Sequence, residues 1–182
     1  MATTFDYGPG VALDWSMRAM HDAVTRVNKI AAADLPSGFA AIGEAVWWIT
    51  IASDSLRRTD PDKYHRAIGL VIPNPSDTIL GLRSVRNRIG HEVELVDFIE
   101  PIASRPDPGD GRITAWVWRH VPPPSGEGLT EGQHKSELKY HRAYETAVVD
   151  GGQGGNIVYT FGLVTGFLDL LCQHRLDPAW PE

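Results

Sequence analysis

The chain has one cysteine, Cys172, among its 182 residues. A lone thiol can form neither an intrachain disulfide nor a cysteine metal cluster, so the fold must hold by packing, and a reducing cytoplasm suits it. Basic charge is also short: 17 Lys and Arg stand against 23 Asp and Glu, a formal net charge of −6. That excludes broad, sequence-blind wrapping of nucleic acid, which uses a basic surface, and leaves room for a small basic site. The most apolar stretch, residues 157–172, is short for a membrane span and carries Asp169, so it reads as a buried helix and no membrane association is expected. Residues 1–10 lack the basic segment and apolar run of a secretory signal, and the expected location is cytoplasmic. None of the seven histidines has metal-ligand spacing; His134 and His141, seven apart, come nearest, and neither metal nor cofactor is expected. The glycine-rich run Gly151-Gly152-Gln153-Gly154-Gly155 lacks the lysine and hydroxyl residue of a nucleoside-triphosphate loop and reads as a flexible link.

What is present is helical periodicity. Leu13, Met17, Met20, Val24, Val27 and Ile30 recur every three or four residues and predict a first helix over residues 12–33. Phe39, Ile42, Val46, Ile49 and Leu56 predict a second, beginning at Pro36 and running to residue 58. The neighbours Trp47 and Trp48 point in different directions, which places one of them at a flank or an interface. A short helix is expected over 62–70. Ser76 or Asp77 then caps a long third helix whose apolar stripe is Leu82, Val85, Ile89, Val93, Val96 and Ile99. After Pro101 the texture changes. Residues 112–121 alternate and are rich in aromatic and β-branched side chains, a strand signal, and residues 139–150 read as its partner strand. This hairpin is expected to be peripheral, with Trp116 and Trp118 packing against the bundle rather than stacking on bases. Asn156 caps a last helix with Ile157, Phe161, Val164, Leu168 and Leu171 inward. The expected architecture is one mainly α domain: an up-and-down helical bundle with a core of residues 12–99 and 156–174, and a β and loop insert over 100–155.

The chemistry concentrates in Arg86-Asn87-Arg88-Ile89-Gly90-His91. Imidazole donates or accepts a proton near neutral pH, and guanidinium holds a phosphate in a fork of hydrogen bonds while keeping its charge. On the expected third helix Asn87 and His91 face the same way, with Arg83 and Glu94 beside them. Arg86 is turned from His91 by about 140° at the helical pitch. A looser match, Arg58 to His65, contains Pro61 and spans a loop.

The run Arg86, Asn87, three residues, His91 resembles the Arg-Asn-x-x-x-His signature of HEPN domains, helical proteins many of which are ribonucleases. The resemblance covers roughly the first hundred residues and the last helix; the insert over 100–155 departs from the minimal family pattern. It implies a homodimer in which two motifs face each other to build one composite site, and a metal-independent endoribonuclease that leaves a 2′,3′-cyclic phosphate. By that resemblance His91 is the acid–base, Arg86 the phosphate clamp and Asn87 the positioner, with Arg83 and Arg88 as accessory phosphate contacts. Glu44, next to the buried stripe of the second helix, is a candidate to orient His91. A toxin or phage-defence effector, with RNA as substrate and a cognate antitoxin as partner, is the corresponding biological role. Two other readings of the same residues stand beside it: a non-catalytic HEPN-like interaction or RNA-binding module, and an unrelated helical protein in which the motif is chance.

Overall fold

The computed structural model describes residues 9–30, 35–68, 75–89, 94–103, 113–151 and 153–175. Helix α1 (Pro9–Ile30) and helix α2 (Leu35–Thr59) follow the two expected apolar stripes. Leu13, Met17, Met20, Ala23 and Val27 of α1 are buried, and so are Ala41, Ile42, Ala45, Val46, Ile49, Ala52 and Leu56 of α2. The small residues Ala41, Ala45 and Ala52 widen the buried face of α2, which packs on α1, α4 and α7 at once. Helix α3 (Pro61–Ile68) is short and bends the chain back. Its Tyr64 is buried, its hydroxyl 2.7 Å from Ser53 Oγ of α2.

Helix α4 (Pro75–Arg88) carries the start of the motif and is shorter than its periodicity predicts. It begins at Pro75, ahead of the expected caps Ser76 and Asp77, and it does not run on to Ile99. A separate turn, α5 (Leu95–Phe98), follows, and Ile99 opens strand β1 (Ile99–Ala103). Gly90 and Val93 lie outside the described residues, and one described signal overrides the apolar spacing. Asp97 accepts from the Glu94 backbone N–H at 2.9 Å and starts a new turn. Val96, expected in the buried stripe, is exposed, while Phe98 is fully buried.

Strand β1 pairs antiparallel with β2 (Ile113–Trp118), Ile99 opposite Trp118 and Pro101 opposite Trp116. The expected partner, residues 139–150, is not a strand. It belongs to helix α6 (Glu131–Ala143) and a π turn over Tyr144–Val149. A capping box explains the helix: Thr130 Oγ1 accepts from Gln133 N at 3.3 Å, and Gln133 Oε1 accepts from Thr130 N at 2.9 Å. The β-branched Val148 and Val149, which suggest a strand, are buried in the π turn. That turn lies so close to α4 that a Cβ at Gly81 would sit 2.6 Å from Val148 Cγ2 and 2.8 Å from Tyr144 Cα.

The sheet is not peripheral. Trp116 and Trp118 are both buried, as packing residues, and they join the main core. Trp116 meets Phe39 of α2 edge-on at 5.2 Å, and a Cβ at Gly38 would run into its ring. Trp118 meets Tyr144 and Phe161 at 6.2 and 6.0 Å, and its indole N–H donates to Thr160 Oγ1 at 3.1 Å. The amphipathic bundle therefore closes over the sheet rather than beside it. Helix α7 (Ile157–Arg175) starts as expected: Asn156 Oδ1 accepts from Tyr159 N at 3.0 Å, and Ile157, Phe161, Val164 and Leu168 are buried. Among the described residues no helix is long and apolar enough to cross a membrane.

Candidate functional site

Three elements meet at the C-terminal end of α4. Arg83, Arg86 and Asn87 are three and four residues apart, so they share one helix face. Helix α2 sends Trp47, Thr50, Asp54 and Arg57 from a stripe of the same spacing, and α6 sends Glu137 and Tyr140.

Asp54 is the hub. Both terminal nitrogens of Arg83 bond its carboxylate, Nη1 to Oδ2 at 3.2 Å and Nη2 to Oδ1 more tightly. This two-point fork is the strong form of an arginine–carboxylate pair. Arg57 Nη2 lies 3.5 Å from Oδ1 and Arg86 Nη1 3.8 Å from Oδ2. Three guanidiniums thus surround one carboxylate, a local surplus of positive charge on a chain whose net charge is −6. The pair Arg83–Asp54 is largely shielded, the side chains 14% and 16% exposed, whereas Arg57 is 53% exposed.

Arg86 is fixed from several sides. Its Nη1 donates to Thr50 Oγ1 at 3.2 Å, and its Nε and Nη2 donate to Asn87 Oδ1 at 3.3 and 3.2 Å. Its guanidinium carbon lies 5.9 Å from the centre of the Trp47 ring, a cation–π contact. Asn87 then donates to Glu137 Oε1 at 2.9 Å, which ties the amide to α6. Burial, and after it the neighbouring Arg83, lower the Arg86 pKa, while Asp54, Tyr140 and Glu137 oppose them. The amide of Asn87 thereby braces the guanidinium of its own neighbour, Arg86.

The other expected site residues are placed as follows. His91 lies outside the described residues. Arg88 is buried, its guanidinium 5.7 Å from the Phe98 ring, and does not share the Arg86 surface. Two residues along a helix is a turn of about 200°, so Arg86 and Arg88 face opposite ways. Glu44 is bonded by Arg26 of α1 at 2.6 and 3.2 Å, which occupies both of its oxygens.

A second charged cluster straddles the π turn. His120 Nδ1 is hydrogen-bonded to Glu145, and its Nε2 lies 3.4 Å from Asp150 Oδ1. The bond and the charge of Glu145 hold the His120 pKa above its usual value. On the other side Glu145 Oε1 is 4.0 Å from His141 Nε2. Burial, and further off the charge of Arg88, hold the His141 pKa below its usual value against the pull of Glu145. Among the described residues no group of three or more His, Cys, Asp or Glu side chains is placed to hold a metal ion.

Reading the motif alone misses Trp47, Thr50, Asp54, Arg57 and Glu137. The α2 set is legible in principle, since positions 47, 50, 54 and 57 share a face that carries no aliphatic residue. Glu137 is not, because nothing in the polar segment that bears it points towards α4. The described residues define a mainly helical bundle with a small two-stranded antiparallel sheet. Comparison with protein-family models, curated proteins and solved structures gives no match.

Proposed function

We propose that this chain is a HEPN-like, metal-independent endoribonuclease that works as a homodimer in the cytoplasm. The observation that carries the reading is Arg86: a braced, partly exposed guanidinium in a cluster of surplus positive charge, five residues before His91. A guanidinium held by Thr50 and Asn87 is organised before substrate arrives, and that is the form in which charge stabilises a phosphoryl transition state.

In the proposed reaction a base takes the proton of a ribose 2′-hydroxyl, and the 2′-oxygen attacks the adjacent phosphorus. The 2′-O–P bond forms, the P–O5′ bond breaks, and the leaving 5′-oxygen receives a proton. The products are a 2′,3′-cyclic phosphate and a 5′-hydroxyl. His91 moves the proton, Arg86 stabilises the charge on the phosphoryl oxygens and Asn87 keeps Arg86 in place. Each chain supplies one such histidine, so pairing two motifs provides the acid and the base. A toxin or phage-defence effector held in check by an antitoxin is the biological role this chemistry suits.

The test is cleavage of a single-stranded RNA in EDTA. Cleavage is expected to persist with chelator and to stop when the scissile nucleotide is 2′-deoxy. His91→Ala should lower the rate by about 10² to 10⁴, the usual worth of general acid–base catalysis. Arg86→Lys should also be impaired, because an ammonium cannot reproduce the fork. A requirement for divalent metal, or full activity of His91→Ala, overturns the mechanism. RNA binding without cleavage under any condition supports instead the non-catalytic RNA-binding module, a reading favoured by the engagement of Asn87 with Glu137 inside the chain.

A further inference from the structure

We propose that Trp47, Arg57 and Arg86 form a subsite for unpaired nucleotides of single-stranded RNA, Trp47 stacking on a base while the two arginines take phosphates of the same strand. The inference rests on the proposed ribonuclease reading, and it names how that site selects its substrate.

Three observations point there. First, Trp47 is 54% exposed on the face of α2 that looks onto the motif arginine. The neighbour placed against its ring is a cation, the Arg86 guanidinium 5.9 Å from the ring centre. Aromatic rings interleaved with arginines are the recurrent platform for single strands, because every base has a π face and every nucleotide a phosphate.

Second, the arginines differ in how closely their charge is matched by a carboxylate. Arg83 grips Asp54 with two bonds, and both side chains are largely shielded. The contacts of Arg57 and Arg86 to the same carboxylate are long, 3.5 and 3.8 Å. Asp54 therefore pairs chiefly with Arg83, while Arg86 is hydrogen-bonded to the neutral Thr50 and Asn87 with Glu137 beyond them, so three guanidiniums against two carboxylates leave positive charge for another anion. Coulomb attraction between such groups is weak when both are exposed, but Arg86, at 21% exposure, is screened less than a surface lysine.

Third, the chain is acidic overall, which favours holding a polyanion locally rather than along a broad basic surface. The exposed indole supplies affinity that does not depend on salt, and double-stranded RNA cannot use it, since its bases stay stacked inside the helix.

The test is fluorescence anisotropy of a labelled 2′-O-methyl oligonucleotide, a single strand that cannot be cleaved, with the full-length chain. Trp47→Ala should weaken binding about 5- to 150-fold, the range of one lost base–aromatic stack. Trp47→Phe should restore most of it. Arg57→Gln should weaken binding and flatten the slope of log K against log salt by about 0.7, one phosphate contact on a single strand. A duplex of the same sequence should bind more weakly than the single strand. The proposal is overturned if Trp47→Ala binds like the parent chain, or if it loses affinity only together with a change in oligomeric state seen by light scattering, which would make the indole a subunit contact. The two readings separate cleanly. If His91→Ala still cleaves but binding depends on Trp47, the subsite stands and the nuclease mechanism falls. If cleavage behaves as proposed and Trp47→Ala binds and cleaves normally, the subsite alone falls.

Discussion

Replacing Asp54 by Asn should destabilise the protein and tighten its grip on anions at the same time. The side chain keeps its shape, so the change is one of charge. Arg83 loses its two-point partner while remaining 14% exposed, and Arg86 gains an uncompensated neighbour. Exposed ion pairs are worth about 0–1 kcal/mol, and breaking a buried one costs about 3–5 kcal/mol. The Arg83–Asp54 pair lies between those cases, so about 2 kcal/mol is expected, consistent with about 1.5–3 kcal/mol for hydrogen bonds to charged groups. At a urea m-value of about 2 kcal/mol/M this lowers the unfolding midpoint by about 1 M with unchanged slope. The distinguishing signature comes from added inorganic phosphate. An anion that takes the place of the carboxylate stabilises the folded state by mass action, so Asp54→Asn should recover more of its midpoint with phosphate than the parent chain gains. Urea titrations at fixed ionic strength, with and without phosphate, measure both effects. An unchanged midpoint, or equal gains in the two proteins, would refute the account of Asp54 as the internal counter-ion of this cluster.

Other expectations follow from the same contacts. Trp116→Ala should cost about 3–5 kcal/mol, the usual loss for a buried aromatic, and calorimetry should show a fall in Tm of about 6–20 °C at about 2–4 °C per kcal/mol for a chain of this size; a fall under about 2 °C on the same scale would mean that the sheet is peripheral after all. His120→Gln should remove a stabilisation that depends on pH. Because Glu145 raises the folded-state pKa of His120, that stabilisation is complete below about 6.5, the ordinary histidine value, and is lost as pH rises through the folded value. The Tm difference between parent and variant should therefore shrink on going from acid to mildly alkaline buffer; a difference that grows would contradict the His120–Glu145 bond. Light scattering at micromolar concentration should give a dimer, and a monomer at every concentration would remove the composite site.

Local rules make α1, α2, α3 and α7 readable, because each buries a stripe whose period is that of the helix and each stop or start is marked by residues such as Pro36, Pro61 and Asn156. Legibility ends where two signals disagree. Val96 and Ile99 continue the spacing of α4, and that weak periodicity loses to the Asp97 cap, which starts a new turn. In α6 the box formed by Thr130 and Gln133 is present in the sequence, but the valines that follow carry a strand composition and point the other way. Within the site, the α4 residues Arg83, Arg86 and Asn87 stand out by type and spacing. Their partners Asp54 and Glu137 lie 29 and 50 residues away along the chain, and only the packing of α2 and α6 on α4 brings them near. Arg88 shows the converse: its charge suggests a phosphate contact, and its helical position turns it into the core.

The π turn of Tyr144–Val149 sets a limit that composition does not reveal. Asp150 N bonds back to Glu145 O, five residues earlier, where an α-helix would use four. The turn therefore holds one residue more than a regular helix would. Losing one residue from it would restore the ordinary α bond pattern and leave the downstream chain nearly in register, whereas adding one more would rotate everything downstream by about 100° relative to α6. Val148 would then swing away from Gly81, and the hydroxyl of Tyr144, which donates to the carbonyl oxygens of Phe98 and Arg119, would draw the sheet out of line with α4. Relatives of this chain should thus lose a residue from the segment far more readily than gain one.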